Sequence, residues 1–382
     1  MKLIIPIICA LYILTSVSCR EDKNPQPTTS EKKQNTITHA TGFSVDNTGK
    51  FPVVTVTNPW PNAEHRFTYA FIPKTELKAN TPTNKDYDAV IGTPIEHLVV
   101  TSTTHIPALE ALNGLNILKG FPDTKYISSM PARQLISEGK IKELGNNESL
   151  NTEMVLELQP DVIVGFAMDN TNATYKLLQK AGIPVLFNGD WTERTPLGKA
   201  EWIKFFGVLL DRQEQAELLF NEIESDYNSI KQLAKKATET PTVLSGAVYK
   251  DIWYLPAGES WAAQFIRDAN AHYLWSDTKG TGSLSLSLES VLEKGHAAKF
   301  WVSPSQFKSY KEMSTSNQHY EEFDAFKNKN IHTYSTTKGP TGGLLFFELG
   351  PQRPDLILKD LVHIFHPEVL PNHVPFFFKA LQ

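Results

Sequence analysis

The sequence is poor in cysteine. Only Cys9 and Cys19 occur among 382 residues, and both lie close to the amino terminus. The rest of the chain therefore cannot form an internal disulfide, and its stability must come from the size of its hydrophobic core. Hydrophobic residues make up 41% of the chain, which is ample for such a core.

Other features are missing as well. The formal net charge is -5, so the chain lacks the excess of basic residues that is typical of proteins that bind nucleic acid. After residue 19, no apolar run reaches the roughly 20 residues that span a bilayer. The chain has no Gly-rich phosphate loop, and "STTH" (102–105) lacks the Gly-x-Ser-x-Gly context of a nucleophile. We therefore predict no nucleic-acid partner and no catalytic residues.

The amino terminus has the layout of an export signal. A positive start is followed by an almost wholly apolar stretch and by small residues just before Cys19. This predicts a lipoprotein signal peptide over residues 1–19, with lipidation of Cys19; a plain signal peptide with an incidental cysteine is the alternative. Residues 20–36 are charged and free of aliphatic side chains, which predicts a flexible tether.

Beyond the tether, two kinds of pattern follow each other. Residues 37–94 show alternating apolar stretches around turn signals, which predicts a β-rich N-terminal extension. Apolar strands then alternate with helices, which is typical of a parallel α/β sheet. In the second half we predict one strand over residues 242–249, a helix over residues 260–275 and a closing helix within residues 353–370.

One segment predicts how the halves are connected. Residues 211–237 contain no glycine or proline and carry apolar residues at helical spacing, so they predict one helix of about 26 residues, near 40 Å long at 1.5 Å per residue. The predicted fold class is α/β, with two Rossmann-like lobes joined by this single long helix. The predicted boundaries are 95–195 for the N-terminal lobe, 196–240 for the bridging helical segment and 241–382 for the C-terminal lobe.

The two halves share a local pattern. The segment "LNTEMVLELQPDVIVGF" begins at Leu150 and "LSLESVLEKGHAAKFWV" begins at Leu286, and this alignment makes Glu153 coincide with Glu289. Each segment reads as a polar cap, a glutamate in the first helical turn, a short helix and a strand. The helix dipole favours a glutamate at that position, but its recurrence indicates two similar lobes.

These two segments, together with "LPAGESWAAQFIRDANAHYLW" and "ELGPQRPDLILKDL", resemble the class III substrate-binding proteins of ABC importers, the cobalamin- and ferric-siderophore-binding group. The similarity runs from about residue 95 to the end. It implies an exported, monomeric lipoprotein that captures a ferric siderophore, a related iron complex or cobalamin. The ligand would pass to an ABC permease with its ATPase subunits, in the periplasm of a Gram-negative cell. No permanently bound cofactor is implied, and haem is not distinguished from the other ligands.

The resemblance also implies functional residues. Glu153 and Glu289 would dock onto arginines of the permease; two helix-start glutamates with no further role are the alternative. The ligand would lie between the lobes, at the carboxyl ends of the strands, with residues 278–285 as cleft backbone. The candidate ligand contacts are Phe121, Phe166, Tyr249, Trp253, Tyr254, Glu348 and Arg353.

Two other functions stay open. One is a membrane-tethered enzyme that uses the interlobe cleft, and the other is an accessory binding protein without a transport role. An enzyme should show a perturbed acid-base or metal cluster in the cleft, whereas a capture protein should show aromatic residues and one or two charges. His363 and His366 are three residues apart on one helix, but no further metal ligand stands at a suitable spacing, so we predict no metal site.

Overall fold

The computed structural model describes residues 37–77 and 86–382. The predicted signal peptide, Cys19 and the tether lie outside the described residues. Within the described ranges, none of the helices combines the length and the apolar character needed to cross a membrane.

The strands of the described ranges are short, and several follow one another closely. In chain order they are β1 (Phe43–Asp46), β2 (Val53–Val56), β3 (Phe67–Pro73), β4 (Ala89–Thr93), β5 (Leu98–Val100), β6 (Leu118–Phe121), β7 (Lys142–Glu143), β8 (Gly145–Asn146), β9 (Ser149–Leu150), β10 (Val162–Gly165), β11 (Val185–Phe187), β12 (Thr242–Ser245), β13 (Ala247–Tyr249), β14 (Ile252–Pro256), β15 (His272–Tyr273), β16 (Ser283–Leu286), β17 (Phe300–Val302), β18 (Ile331–Thr333) and β19 (Lys379–Ala380).

The helices mostly separate strands of the parallel sheets. In chain order they are α1 (His105–Ala111), α2 (Met130–Ser137), α3 (Thr152–Leu158), α4 (Ala173–Lys180), α5 (Pro196–Glu201), α6 (Ile203–Leu209), α7 (Gln213–Ala234), α8 (Trp261–Asp268), α9 (Leu288–Gly295), α10 (Tyr310–Ser316), α11 (Asp324–Lys327), α12 (Leu345–Glu348) and α13 (Pro354–Phe365).

The first half contains two main sheets. The described part of the extension, residues 37–77 and 86–94, forms a sheet of order β1-β2-β3-β4, in which β1, β2 and β3 are antiparallel neighbours and β3 and β4 are parallel. The N-terminal lobe has a parallel sheet of order β11-β10-β5-β6-β7. The predicted β-rich extension and the predicted parallel sheet are both confirmed.

The parallel sheet of the N-terminal lobe separates two layers of buried side chains. Leu98 and Val100 belong to one hydrophobic cluster, whereas Val99 and Ile163 belong to another. Successive side chains of a strand point to opposite faces of the sheet. The sheet is therefore covered on both faces, as parallel sheets generally are.

The extension is part of the core of the N-terminal lobe. Phe43 and Val54 are buried in the cluster that also holds Trp202, and the rings of Phe43 and Trp202 lie 4.4 Å apart. The backbone N–H of Phe187 donates to the Tyr69 hydroxyl at 3.0 Å. Removing the extension would expose this core, so the extension is not a detachable appendage.

The second half repeats the α/β plan with one addition. Its main sheet has the order β15-β12-β17-β18-β19, parallel except at the last pair, and β13-β14-β16 form a separate antiparallel sheet. The prediction of a single strand over residues 242–249 is wrong, because β12 ends and β13 begins on either side of Gly246. At Gly246 φ is +80°, and a Cβ atom would lie 1.9 Å from the Tyr254 carbonyl oxygen. Only glycine fits there, and the chain passes from one sheet to the other.

The helix predicted over residues 260–275 is too long. It starts as expected, because the Ser260 hydroxyl accepts from the Ala263 N–H at 3.2 Å. It ends early, at Asp268, and Asn270 then adopts a left-handed φ of +55° before the chain enters β15. A left-handed residue just after a helix is a common stop signal. The closing helix α13 likewise stops before Pro367.

The predicted long helix is α7, which is shorter than expected at both ends. It has 22 residues and is about 33 Å long at 1.5 Å per residue. Phe220 and Ile223 pack into the N-terminal core, and Tyr227 and Ala234 pack into the C-terminal core. One helix thus contributes buried residues to both cores, while the exact lobe boundaries stay a prediction.

Candidate functional site

Two adjoining cavities lie at the carboxyl ends of the parallel strands. The C-lobe cavity, of about 380 Å³, is lined by the loops after β12 and β17 and by the β13-β14 hairpin. The extension cavity, of about 720 Å³, has walls from the extension, from the segment after β11 and from the C-terminal lobe. They share Trp261, Thr281 and Gly282. The last two belong to the predicted cleft segment 278–285, and this edge of an α/β sheet is where ligands usually bind.

The C-lobe cavity carries two exposed tyrosines on neighbouring strands. Tyr249 is 63% exposed and Tyr254 is 39% exposed, and their ring centroids lie 6.5 Å apart. The half-buried indole of Trp261 also lines this cavity. Such rings offer large apolar faces with a polar edge, which suits a bulky ligand that is only partly apolar.

The loop after β17 has an unusual backbone. Ser303 and Ser305 both line the C-lobe cavity, with φ values of +54° and +53°. The N–H of Ser305 donates to the carbonyl oxygen of Ser303 at 2.8 Å. Non-glycine residues in this conformation are costly and cluster at binding sites, so the loop marks this wall as a candidate functional surface.

The extension cavity combines aromatic, amide and cationic side chains. The ring of Trp191 lies 5.5 Å from the ring of Phe166, at the end of β10. Its lining includes Asn58, Trp60, Asn62, Trp191, Arg194 and Lys199, together with one carboxylate, that of Glu193.

A buried carboxylate holds the extension beside this cavity. Glu193 is 4% exposed and accepts from the backbone N–H groups of Thr41, at 3.0 Å, and Gly42, at 2.7 Å. It also accepts from the indole N–H of Trp202 at 3.1 Å. Hydrogen bonds to a charged acceptor are stronger than neutral ones, so Glu193 fixes the start of the extension against the lobe.

A second buried carboxylate repeats this arrangement. Glu201 accepts from the backbone N–H groups of Thr38 at 2.9 Å, His39 at 2.7 Å and Ala40 at 2.7 Å. Lys204 donates to it at 3.0 Å. Burial alone would raise the pKa of Glu201, but the backbone donors and Lys204 outweigh burial and lower the pKa. We call Glu193 and Glu201 together the carboxylate clasp.

The backbone of the extension also touches the lobe directly. A Cβ atom on Gly189 would lie 2.3 Å from the carbonyl oxygen of Asn58, so only glycine allows this approach. The Thr192 hydroxyl donates to the same carbonyl oxygen at 2.9 Å. Asn58 is therefore held in place at the wall of the extension cavity.

Three predicted ligand contacts lie at or beside the cavities. Tyr249 and Tyr254 line the C-lobe cavity, and Phe166 packs on Trp191 at the extension cavity. Their role in binding stays a prediction. The structure brings them together with Trp261, which lines both cavities.

Two predicted contacts are instead core residues. Trp253 is fully buried and its ring stacks 5.2 Å from that of Trp301. It neighbours Tyr254 on β14, and consecutive strand residues face opposite sides, so only one of the two reaches the cavity. Phe121 is 2% exposed in the core of the N-terminal lobe. The prediction that Trp253 and Phe121 line the cleft is wrong.

The two charged candidates are also engaged elsewhere. Glu348 is 4% exposed and accepts from the backbone N–H groups of Ser128 at 2.6 Å and Ser129 at 2.9 Å. Burial raises the pKa of Glu348 in spite of these donors. Arg353 forms a two-pronged ion pair with Asp355, at 2.9 and 2.7 Å. Both side chains are therefore structural, and Glu348 links the two lobes.

The two proposed docking glutamates have the predicted local structure. Glu153 and Glu289 are exposed in the first turns of α3 and α9. Asn151 and Ser287 cap these helices through side-chain oxygens. Hydrogen bonds from its own backbone N–H and from Ser287 lower the pKa of Glu289. The repeated cap pattern is confirmed, whereas the docking role stays a prediction.

The predicted histidine pair, His363 on α13 and His366 directly after it, has ordinary hydrogen-bond partners. His366 is 1% exposed, and its Nε2 lies 3.0 Å from the carbonyl oxygen of Ala269. His363 Nδ1 lies 2.7 Å from the carbonyl oxygen of Leu370. Across the described residues, no group of three or more metal-ligating side chains is assembled.

Sequence reasoning missed the residues of the extension cavity. Arg194 and Lys199 follow β11 in the stretch "GDWTERTPLGK", where two cations and a tryptophan come directly after the carboxyl end of a strand. That position was a usable signal. Asn58 gave none, because its place beside the cavity depends on contacts with residues more than 100 positions later.

Comparison with known proteins identifies related chains. A family model described as "Periplasmic binding protein" matches residues 98–336. An uncharacterized lipoprotein of Methanocaldococcus jannaschii (MJ0878) is 27% identical over 300 residues, which cover 76% of this chain and 69% of the relative. The matched family segment begins after the extension.

Solved structures show the same fold. One, from Staphylococcus epidermidis, is described as a possible iron-binding (periplasmic solute-binding) protein; it is 20% identical, with a TM-score of 0.57, and covers 71% of this chain and 99% of its own. Another is a periplasmic haem-binding protein from Pseudomonas aeruginosa, 18% identical, with a TM-score of 0.57, covering 75% of this chain and 98% of its own.

Proposed function

The chain belongs to the periplasmic binding protein family, and from that premise we propose that it captures a bulky metal chelate between its two lobes and delivers it to an ABC permease. The candidate ligands are a ferric siderophore, a related iron complex such as haem, and cobalamin. The protein would be an exported lipoprotein anchored through Cys19, with Glu153 and Glu289 as the docking residues.

One observation carries this proposal: the adjoining cavities combine exposed aromatic rings with cationic side chains. Tyr249, Tyr254 and Trp261 supply rings, and Arg194 and Lys199 supply charge. Among these ligands, haem and ferric catecholates present both apolar faces and anionic oxygens to a protein. The cavity volumes fall within the range of about 300–1,000 Å³ that is usual for small-molecule sites.

The related structures agree with this ligand class. The relatives from Staphylococcus epidermidis and Pseudomonas aeruginosa carry descriptions that refer to iron and haem, respectively. Their identity to this chain is low, so the choice among chelates depends on this protein's own side chains. The described residues offer a wall with aromatic rings and two cations, which is what a capture protein needs.

The proposal is tested by titration of the purified protein with a ferric catecholate, a ferric hydroxamate, haem and cobalamin. These compounds absorb strongly, so binding should quench the fluorescence of Trp261. Replacement of Tyr254 by alanine should weaken binding by about tenfold or more, because loss of an aromatic anchor commonly costs ~2 kcal/mol. Tyr126→Ala is the matched control, since Tyr126 is exposed and lines neither cavity. Flat titrations across the whole panel would overturn the proposal.

A further inference from the structure

The extension cavity has an electropositive wall whose cations are only partly used by the protein. Lys199 is 8% exposed, and its ammonium donates to the backbone carbonyl oxygens of Asp190 and Trp191, both at 3.0 Å. An ammonium has three donors, so one N–H remains. The same nitrogen lies 5.3 Å from the ring centre of Trp261, at the cavity wall.

Arg194 is the second cation of this wall. Its side chain is exposed and lines the cavity, and it forms no ion pair with a carboxylate of residues 37–77 or 86–382. The nearby carboxylate of Glu259 is occupied by Lys279, at 3.2 Å, and by the N–H of Gly280, at 3.0 Å. Arg194 helps to lower the pKa of Glu259 from a distance, but its guanidinium donates to no group of the described residues. Its fork of donors suits a carboxylate or phosphate.

The acidic groups near Lys199 do not neutralise the positive charge of the cavity wall. Glu193 also lines the cavity, but its carboxylate accepts from the N–H groups of Thr41 and Gly42 in the carboxylate clasp. Asp190 is buried and is not part of the cavity lining. Both carboxylates oppose the loss of the Lys199 proton, although burial lowers the pKa of Lys199. The cavity lining thus holds two cations, Arg194 and Lys199, against one carboxylate, Glu193, whose oxygens already accept from the extension.

The extension supplies neutral polar groups opposite these cations. Asn58 and Asn62 line the cavity. Their side-chain amides form no hydrogen bond with any group in the described part of the chain. An asparagine amide both donates and accepts. The backbone of Asn58 is fixed by Gly189 and Thr192, so this wall has a definite shape.

We propose that the extension cavity is a subsite for an anionic oxygen group of the ligand, held by Arg194 and Lys199 and bounded by Asn58 of the extension. The proposal rests on the capture function and adds to it a specificity wall from residues 37–94, which lie before the matched family segment. The protein would then favour chelates with a free carboxylate or a similar anion at their rim over neutral ones.

Citrate without metal is the probe, because it presents carboxylates and no chelate ring. Titration of the protein should shift the indole N–H resonances of Trp191 and Trp261 and reach saturation. Arg194→Gln should weaken citrate binding by about tenfold or more, as expected for loss of a hydrogen-bonded charge pair. Arg66→Gln is the matched control, since Arg66 is an exposed arginine of the extension outside the cavity.

A second variant tests the role of the extension itself. Asn58→Asp places a negative charge on the extension wall, so it should weaken citrate binding by repulsion, whereas Asn47→Asp in the β1-β2 turn should not. Matching melting temperatures would show that each variant is folded. The inference is wrong if citrate leaves both indoles unchanged, or if Arg194→Gln and Asn58→Asp bind citrate like the unmodified protein.

The two proposals fail in different ways. Chelate binding without any citrate effect would refute the subsite and leave the capture function standing. A saturable citrate effect with flat chelate titrations would refute the capture of these chelates and keep the anion subsite. Haem and its dimethyl ester give a further comparison, because the ester removes both carboxylates; the subsite predicts weaker binding of the ester, and equal binding would contradict it.

Discussion

Replacement of Glu201 by glutamine should strongly destabilise the attachment of the extension. The Glu201 side chain is fully buried and accepts from three backbone N–H groups and from Lys204. Glutamine keeps one acceptor oxygen and turns its NH₂ group toward donors, so about two hydrogen bonds to a charged acceptor are lost, at ~1.5–3 kcal/mol each. Lys204 keeps its second partner, Glu217, at 3.1 Å.

We therefore expect a loss of about 3–6 kcal/mol in the free energy of unfolding, which overlaps the ~3–5 kcal/mol typical of breaking a buried ion pair. Urea denaturation measures this loss, and hydrogen exchange of the amides of residues 38–40 should accelerate in parallel. The difference between the two proteins should also depend on pH. Because the folded-state pKa of Glu201 is lowered, its stabilisation is fully present above the ordinary carboxyl pKa and is lost as pH falls through the lowered value.

Glu224→Gln is the matched control. Glu224 pairs with His39 of the same segment at 2.6 Å, but both side chains are about one-third exposed. Its loss should cost only ~0–1 kcal/mol, as for other exposed pairs. A loss of unfolding free energy below about 1 kcal/mol for Glu201→Gln, or equal losses for the two variants, would contradict the carboxylate clasp. Removal of a buried acceptor leaves its hydrogen-bond donors without a partner, which costs more than that.

Three further predictions concern anchoring, docking and lobe movement. Cys19→Ser should release the protein from the membrane pellet on cell fractionation; retention there would contradict lipid anchoring. Glu153→Gln combined with Glu289→Gln should leave chelate affinity unchanged and reduce transport through the cognate permease, whereas unchanged transport would leave both as helix-start residues only. Small-angle scattering profiles with and without ligand should nearly overlay, because α7 lacks glycine and proline and packs into both cores; a large drop in radius of gyration would contradict this.

Local sequence signals were enough for the α/β class. The strands β5, β10 and β17 are continuous apolar runs, which is how buried parallel strands read. Asn151 and Ser287 cap the helices as the repeated pattern predicts. Each of these features depends on neighbours within a few residues, so the sequence alone was sufficient to predict it.

The site was harder to predict because strand register decides which side chains face the ligand. Trp253 and Tyr254 both looked like cleft residues, yet a strand can present only one of two neighbours to a given face. The break at Gly246 changes the sheet to which Tyr249 belongs. A period-2 reading of β14 places Trp253 with Leu255, which is buried, and Tyr254 with Ile252, which is exposed.

Long-range partners could not be read from sequence at all. In the sequence Glu348 resembles a free carboxylate of the last loop. Its two oxygens instead accept from the backbone N–H groups of Ser128 and Ser129, which lie 220 and 219 residues earlier. Glu193 and Glu201 resemble ordinary surface glutamates in sequence, and only the fold shows that they are buried. The role of the extension depends on these contacts, so the sequence alone does not predict it.

The carboxylate clasp also bears on the order of folding. Its hydrogen bonds to the extension join residues that are 151 to 163 positions apart in the chain. Closing such loops costs entropy before any contact is gained, and contacts of this separation slow folding. The extension is synthesised before the lobe residues that hold it, and these partners are complete only once Glu201 has been made. A nascent chain therefore cannot attach the extension to the lobe until this whole span has been synthesised.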